Sequence, residues 1–223
     1  MMNFGLAFSY VFKDENWFKK VAIPAVCSLI PVVGPWVVSG WAMKAAKNVI
    51  DGNEEHALPE LEFGADLRRG FMIFVITLLY NLPVVILFGI MGAAFGFGAE
   101  ADQGLMTILY IVGGCVGLIG VVFALLVSFM SVIGIANYLA KGEFGAAFKF
   151  KEIFAMLKKS FVSWLLVIVG QILALGIIAP LGTIACVIGV FLTMAYGFAV
   201  YAHLIGQAYN QSASPVVGEV ETL

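Results

Sequence analysis

Five long apolar runs, at roughly 21–43, 70–98, 104–140, 161–179 and 181–208, constrain this chain more than any other feature. An α-helix crosses the ~30 Å hydrocarbon core of a bilayer with about 20 apolar residues, so each run after the first reads as one crossing. A soluble domain could not cover so much apolar surface. Of all residues 62% are hydrophobic and 12% charged, against roughly 45–50% and 25% in ordinary globular chains. The predicted fold class is all-α: a polytopic membrane bundle with four spans, an N-terminal re-entrant helical hairpin and interfacial amphipathic helices. One membrane domain is expected over 1–210, with an amphipathic segment at 1–20, the hairpin at 21–49 and a cytoplasmic linker at 50–69. The spans at 70–98, 104–140, 161–179 and 181–208 follow, with an interfacial helix at 143–160 and a disordered cytoplasmic tail at 211–223.

The run 104–140 is long for one crossing. At about 1.5 Å per residue it reaches roughly 55 Å, so it is expected to tilt or to project beyond the membrane as a continuous helix. Ala179-Pro180-Leu181-Gly182 reads as a tight turn between two antiparallel spans.

Cytoplasmic loops collect Lys and Arg. The twelve basic residues avoid 99–103 and 180–182, so those connections should face outward and both termini inward. Lys13, Lys19 and Lys20 join the other nine on the inner side only if the first run enters and leaves by one face. Pro31, Gly34 and Pro35, in Ile30-Pro31-Val32-Val33-Gly34-Pro35-Trp36, read as the turn of such a hairpin. That run is too long and too broken by proline to read as a cleavable signal peptide.

In 148–161, Phe150, Ile153, Phe154, Leu157 and Phe161 share one helical face, opposite Lys151, Glu152, Lys158 and Lys159. A sided, basic, Phe-rich helix beside a span is expected to lie in the interface. Phe150, Phe154, Leu157, Lys151, Lys158, Lys159, Trp17, Lys19 and Lys20 are therefore candidate lipid contacts. Near the N-terminus Phe4, Phe8, Val11 and Phe12 also share a face, Asp14 is positioned to cap the next helix, and Trp17 and Trp164 suit the headgroup level.

Chemistry is sparse. All fourteen acidic and all twelve basic residues fall outside the expected spans, whereas ion-coupled transporters usually keep ionisable groups within the membrane. His56 and His203 belong to no H-E-x-x-H pattern, and no G-x-S-x-G or phosphate-cradling loop occurs. Cys27, Cys115 and Cys186 lie singly in apolar runs and read as small packing residues. No catalytic, metal or cofactor site is expected. Asn81, Gln171, His203 and Gln207 are candidate intramembrane polar contacts, and Gly113, Gly117 and Gly120 form a small-residue stripe for helix–helix packing, either within the chain or with a second copy.

An ordered set of motifs spans the chain: Tyr10-Val11-Phe12-Lys13-Asp14, Trp17-Phe18-Lys19-Lys20, Ile30-Pro31-Val32-Val33-Gly34, Ser39-Gly40-Trp41, Leu58-Pro59-Glu60-Leu61, Phe148-Lys149-Phe150-Lys151-Glu152-Ile153 and Tyr201 through Tyr209. Together they resemble the prokaryotic multi-pass membrane family catalogued as domain of unknown function 4013. The resemblance implies an integral membrane protein of a prokaryotic cytoplasmic membrane and carries no catalytic residues.

The expected function is a non-enzymatic, homo-oligomeric membrane scaffold inserting mainly in the cytoplasmic leaflet. Its partners would be membrane lipids with anionic headgroups, and other membrane subunits, but no nucleic acid. A passive pore, a lipid or small-solute transporter, or an accessory subunit of a larger complex is the alternative.

Overall fold

The computed structural model describes residues 2–98 and 103–213, and the expected outer loop at 99–103 and tail at 211–223 fall largely outside them. The described residues are helical, joined by short connections and without strands. The helices are α1 (Phe4–Lys13), α2 (Trp17–Cys27), α3 (Val33–Ile50), α4 (Phe63–Gly98) and α5 (Gln103–Lys141), then α6 (Phe150–Lys159), α7 (Phe161–Gln171), α8 (Ala179–Leu181) and α9 (Cys186–Ala213). Four stretches are long and apolar enough to cross a membrane: Phe63–Gly96, Met106–Lys141, Phe161–Ile184 and Gly189–Ala213.

The core sits around α3. Val37, Trp41, Ala42, Ala45, Ala46 and Val49 are fully buried, enclosed chiefly by α4 and α9. Alanine and glycine make this approach possible. Gly40 and Gly70 face each other so closely that a Cβ on Gly70 would strike the Trp36 carbonyl, and one on Gly40 the Asp66 carbonyl. At the other end of α3, Gly206 of α9 fits the same way: its Cβ would lie 2.8 Å from the Ala46 oxygen. The inner half of α4 turns Asp66, Gly70, Ile73, Ile76 and Tyr80 toward this core, a spacing of one helical face.

Beyond Tyr80 the character changes. Leu82, Val85, Ile86, Phe88 and Ile90 on α4, and Ile108, Tyr110, Leu118, Val122 and Leu125 on α5, are all exposed. This outer part is a two-helix hairpin with apolar side chains on every face, as a lipid-covered hairpin requires. With 39 residues, α5 is one continuous helix of ~58 Å.

Several boundaries differ from the sequence expectations. Helix α4 begins at Phe63, seven residues before the apolar run at 70, because Asp66 reaches back to accept the Glu62 N–H (2.7 Å) and closes the first turn. The expected turn at 179–182 is helical. After α7 the chain takes a π-helical stretch, Ile172–Ile178, and the Ala179 N–H bonds to Ala174. This shift of register places Pro180 in the first turn of a new α-helical stretch, where its missing N–H costs no bond. The reversal falls later, after Gly182. There Thr193 donates to the Ala179 carbonyl (2.6 Å), and a Cβ on Gly182 would strike the Gly189 backbone.

Between α2 and α3 the chain turns sharply at Ser28–Val32. Val32 has φ 66° and ψ −55°, and the Val33 N–H bonds to the Pro31 carbonyl at 2.7 Å. This is a γ-turn of the strained hand, unusual for a β-branched residue.

The backbone contact at Gly70 yields a sharp contrast. Gly70→Val is expected to cost more than about 2 kcal/mol by overpacking. Gly92→Ala, with nothing within 4 Å of the new methyl, should stay within about 0.5 kcal/mol of wild type. Thermal unfolding midpoints in one detergent measure both.

Candidate functional site

Among the described residues, the charged ones gather at one end of the four long stretches and on the segments beside it. Lys13 pairs with Glu55 (3.2 Å), Lys20 with Asp14 (2.6 Å) and Arg69 with the fully buried Asp66 (2.6 Å). Lys44 pairs with Glu62, Lys47 with Asp51 and Lys141 with Glu152. The linker 51–62 is tied down throughout: Asn48 donates to the Ala57 carbonyl, Trp41 to Pro59 and Lys20 to Leu58. The Lys141 ammonium and the Asn137 amide hold the Glu152 carboxyl below its ordinary range, and Lys44 does the same for Glu62.

Asp14 sits at the α1–α2 turn. Its carboxylate accepts the Asn16 N–H (2.8 Å) as well as the Lys20 ammonium, so it organises the start of α2 without being the residue next to it. Partial burial pushes its carboxyl up, but the Lys20 bond and the Asn16 N–H outweigh that and leave it below its usual 3.8.

A second polar group is buried. His203 and Gln207 lie one turn apart on α9, nearly free of solvent. The His203 Nε2 is 2.8 Å from the Glu54 carbonyl, which can only accept, so Nε2 carries the proton and Nδ1 accepts from the Gln207 amide at 3.0 Å. Gln207 also accepts the Asn3 N–H (2.6 Å) and donates to the Asn3 carbonyl (3.1 Å). Tyr10 packs on the His203 ring with centroids 4.4 Å apart and donates to the Ala199 carbonyl. Every polar atom of the pair is matched. The group staples α1 and the linker to α9, leaving no atom aimed at a ligand.

The residues singled out in the sequence fall into several groups. Phe150 (54% exposed) and Phe154 (45%) point outward, and Lys158 lies over the Phe154 ring at 4.6 Å. Lys151 and Lys159 are exposed as well. Leu157 is a correction: it is 7% exposed and joins Ile153 in the core, because 153 and 157 share the row of α6 that packs on α5 and α9, while Phe150, Phe154 and Lys158 share the row beside it. Trp17 is half-buried with Phe12 and Phe18 at its edges, Lys19 is exposed, and Lys20 is bound inside its ion pair.

Trp164 is 1% exposed and lies in the core, covered by protein. Its Nε1 is the buried side-chain nitrogen left without a partner among the described residues. Val11 is fully buried, so α1 turns Ala7, Tyr10 and Val11 onto α9 and leaves Phe12 outside.

Asn81 donates to the Thr77 carbonyl of its own helix (2.8 Å) and bonds to no other helix among the described residues. Gln171 is half-buried, and its side chain makes no hydrogen bond among the described residues. Pro31 and Pro35 are exposed at the hairpin turn, while Gly34 is buried against the Cys27 carbonyl. Gly113 faces Phe95, Gly117 faces Met91 and Gly120 faces Phe88. On that side the stripe faces α4 of the same chain. Cys115 is exposed on α5, where a packed position was expected. The close contacts at Gly40, Gly70 and Gly206 were missed, although the alanines at 42, 45 and 46 of α3 carried the signal of a closely approached helix.

Four stretches long and apolar enough to cross a membrane, with the charged residues of the described part at their ends or in the segments that join them, define a multi-pass α-helical membrane protein. The family described as "Protein of unknown function (DUF4013)" matches residues 23–194, and the chain belongs to it. No curated protein and no solved structure matches the chain.

Asp14 gives a pH-dependent test. A carboxyl lowered in the folded state adds stability above its unfolded pKa and loses it as pH falls through the folded value. Asp14→Asn should therefore lower the unfolding free energy at neutral pH by about 0.5–1 kcal/mol. The difference from wild type should close as the pH drops below 3.8.

Proposed function

We propose that this chain is a non-enzymatic, homo-oligomeric membrane-organising protein of a prokaryotic cytoplasmic membrane. It inserts mainly in the cytoplasmic leaflet and keeps both termini on that side. The observation that carries the reading is the depth of the α2–α3 hairpin. Trp36, just after the turn, packs against Phe71 and Phe74, with ring centroids 5.3 and 5.2 Å away. The turn thus lies beside the first half of α4, which runs on to Gly98. Leu29 (56%), Ile30 (43%) and Val32 (68%) are exposed at its tip.

An apolar tip reaching partway along a span supports entry into one leaflet and return by the same face. The outward Phe150 and Phe154 beside exposed lysines add to the same side, and basic interfacial helices favour anionic lipid. Open glycines at 89, 92 and 96 of α4 offer a surface for assembly.

Reconstitution tests the proposal. Vesicles containing phosphatidylglycerol should take up the protein more readily than purely zwitterionic ones and should change curvature with protein density. Unchanged vesicle shape with no lipid preference would contradict it.

A further inference from the structure

Arg68 differs from the cations around it. Lys13, Lys20, Lys44, Lys47, Arg69 and Lys141 each hold a carboxylate, but Arg68 makes no hydrogen bond, ion pair or ring contact among the described residues. It nevertheless borders two cavities. One, of about 530 Å³, opens between α4 and α5 and is lined by Arg68, Arg69, Met72, Tyr138, Gly142 and Phe144. The other, of about 330 Å³, opens between α3 and α4 and is lined by Val33, Trp36, Leu67, Arg68 and Phe71.

Residues 65, 68, 69 and 72 follow one face of α4, and 64, 67, 68 and 71 the next, so Arg68 stands on the ridge between a polar cleft and an apolar groove. Within the polar cleft the Arg69 charge is already met by the buried Asp66. That leaves the Arg68 guanidinium as its uncompensated charge. The Tyr138 hydroxyl also makes no hydrogen bond among the described residues.

We propose that this pair of cavities binds one anionic phospholipid. The phosphate is held by Arg68 and the Tyr138 hydroxyl in the α4–α5 cleft, and an acyl chain lies in the Val33–Trp36–Phe71 groove. A guanidinium presents a fork of donors that matches two phosphate oxygens. A soluble phosphate would use the cleft alone and leave the adjoining groove without a purpose. The proposal rests on reading the Arg68 end of α4 as the cytoplasmic headgroup level.

Native mass spectrometry of the full chain released from detergent tests it, using phosphatidylglycerol and phosphatidylcholine with identical acyl chains. The first phosphatidylglycerol should bind about tenfold more tightly than phosphatidylcholine, and Arg68→Gln should abolish that preference. Tyr138→Phe should weaken it severalfold. Because Arg68 bonds to no other described residue, Arg68→Gln should unfold at the wild-type midpoint.

Equal retention of phosphatidylglycerol by wild type and Arg68→Gln would overturn the site. The leaflet reading would then stand or fall separately on the vesicle measurement. Displacement of the lipid by millimolar inorganic phosphate would assign the cleft to a soluble anion and overturn the lipid assignment.

Discussion

Helix α3 touches its neighbours backbone to backbone, and the positions of the other elements follow from that. At Gly40 and Gly70 there is no room for even one methyl group, and at Gly206 the Ala46 carbonyl and Val49 leave equally little. Contacts this close maximise dispersion between helices, which matters in a membrane because lipid tails remove the hydrophobic drive for helices to associate. Once α3 is fixed against α4 and α9, the turn at Ser28–Val32 can sit only beside the inner half of α4. Helix α2 must then return along the outside.

The rest of the inner half is held by polar groups that each join distant segments. Gln207 and His203 connect α9 to the N-terminus and to the linker. Asn137 joins α5 to the Ala146 carbonyl and to Glu152, and Tyr80 reaches the Ala147 carbonyl at 2.6 Å. In each case a buried donor or acceptor is matched, as burial demands. Among its described residues the far part of the α4–α5 pair has no such ties and depends on ring-into-glycine contacts such as Phe95 on Gly113. The protein thus divides into a braced inner half and a simple outer one, the asymmetry expected if its work is done at one leaflet.

Much of the architecture was legible in the sequence. Hydropathy reports exposure to lipid, and the four long stretches are the ones it marked. The same measure cannot tell lipid from protein as the cover, so it gave no sign that α3 is wrapped by its own chain or that Val11, Leu157 and Trp164 face inward. Proline signals misplaced the last turn because the π-helical stretch at 172–178 absorbs Pro180, an effect of hydrogen-bond register that composition does not reveal. The Gly40–Gly70 contact joins residues thirty positions apart, beyond the reach of any local pattern. The candidate lipid site was readable only in part: the basic residues at 68 and 69 stood out, but which of them Asp66 neutralises is a matter of geometry.

The central claim is that the α2–α3 hairpin enters and leaves the membrane by one face. Single cysteines at Glu15, Ile30 and Asn53, introduced into a chain without its native cysteines, can be labelled with an impermeant maleimide in sealed vesicles of each orientation. The account predicts that positions 15 and 53 react only from the cytoplasmic side and that position 30 reacts from neither. Labelling of position 15 from the outer side, with position 53 still reacting from within, would make the hairpin a single kinked span and contradict it.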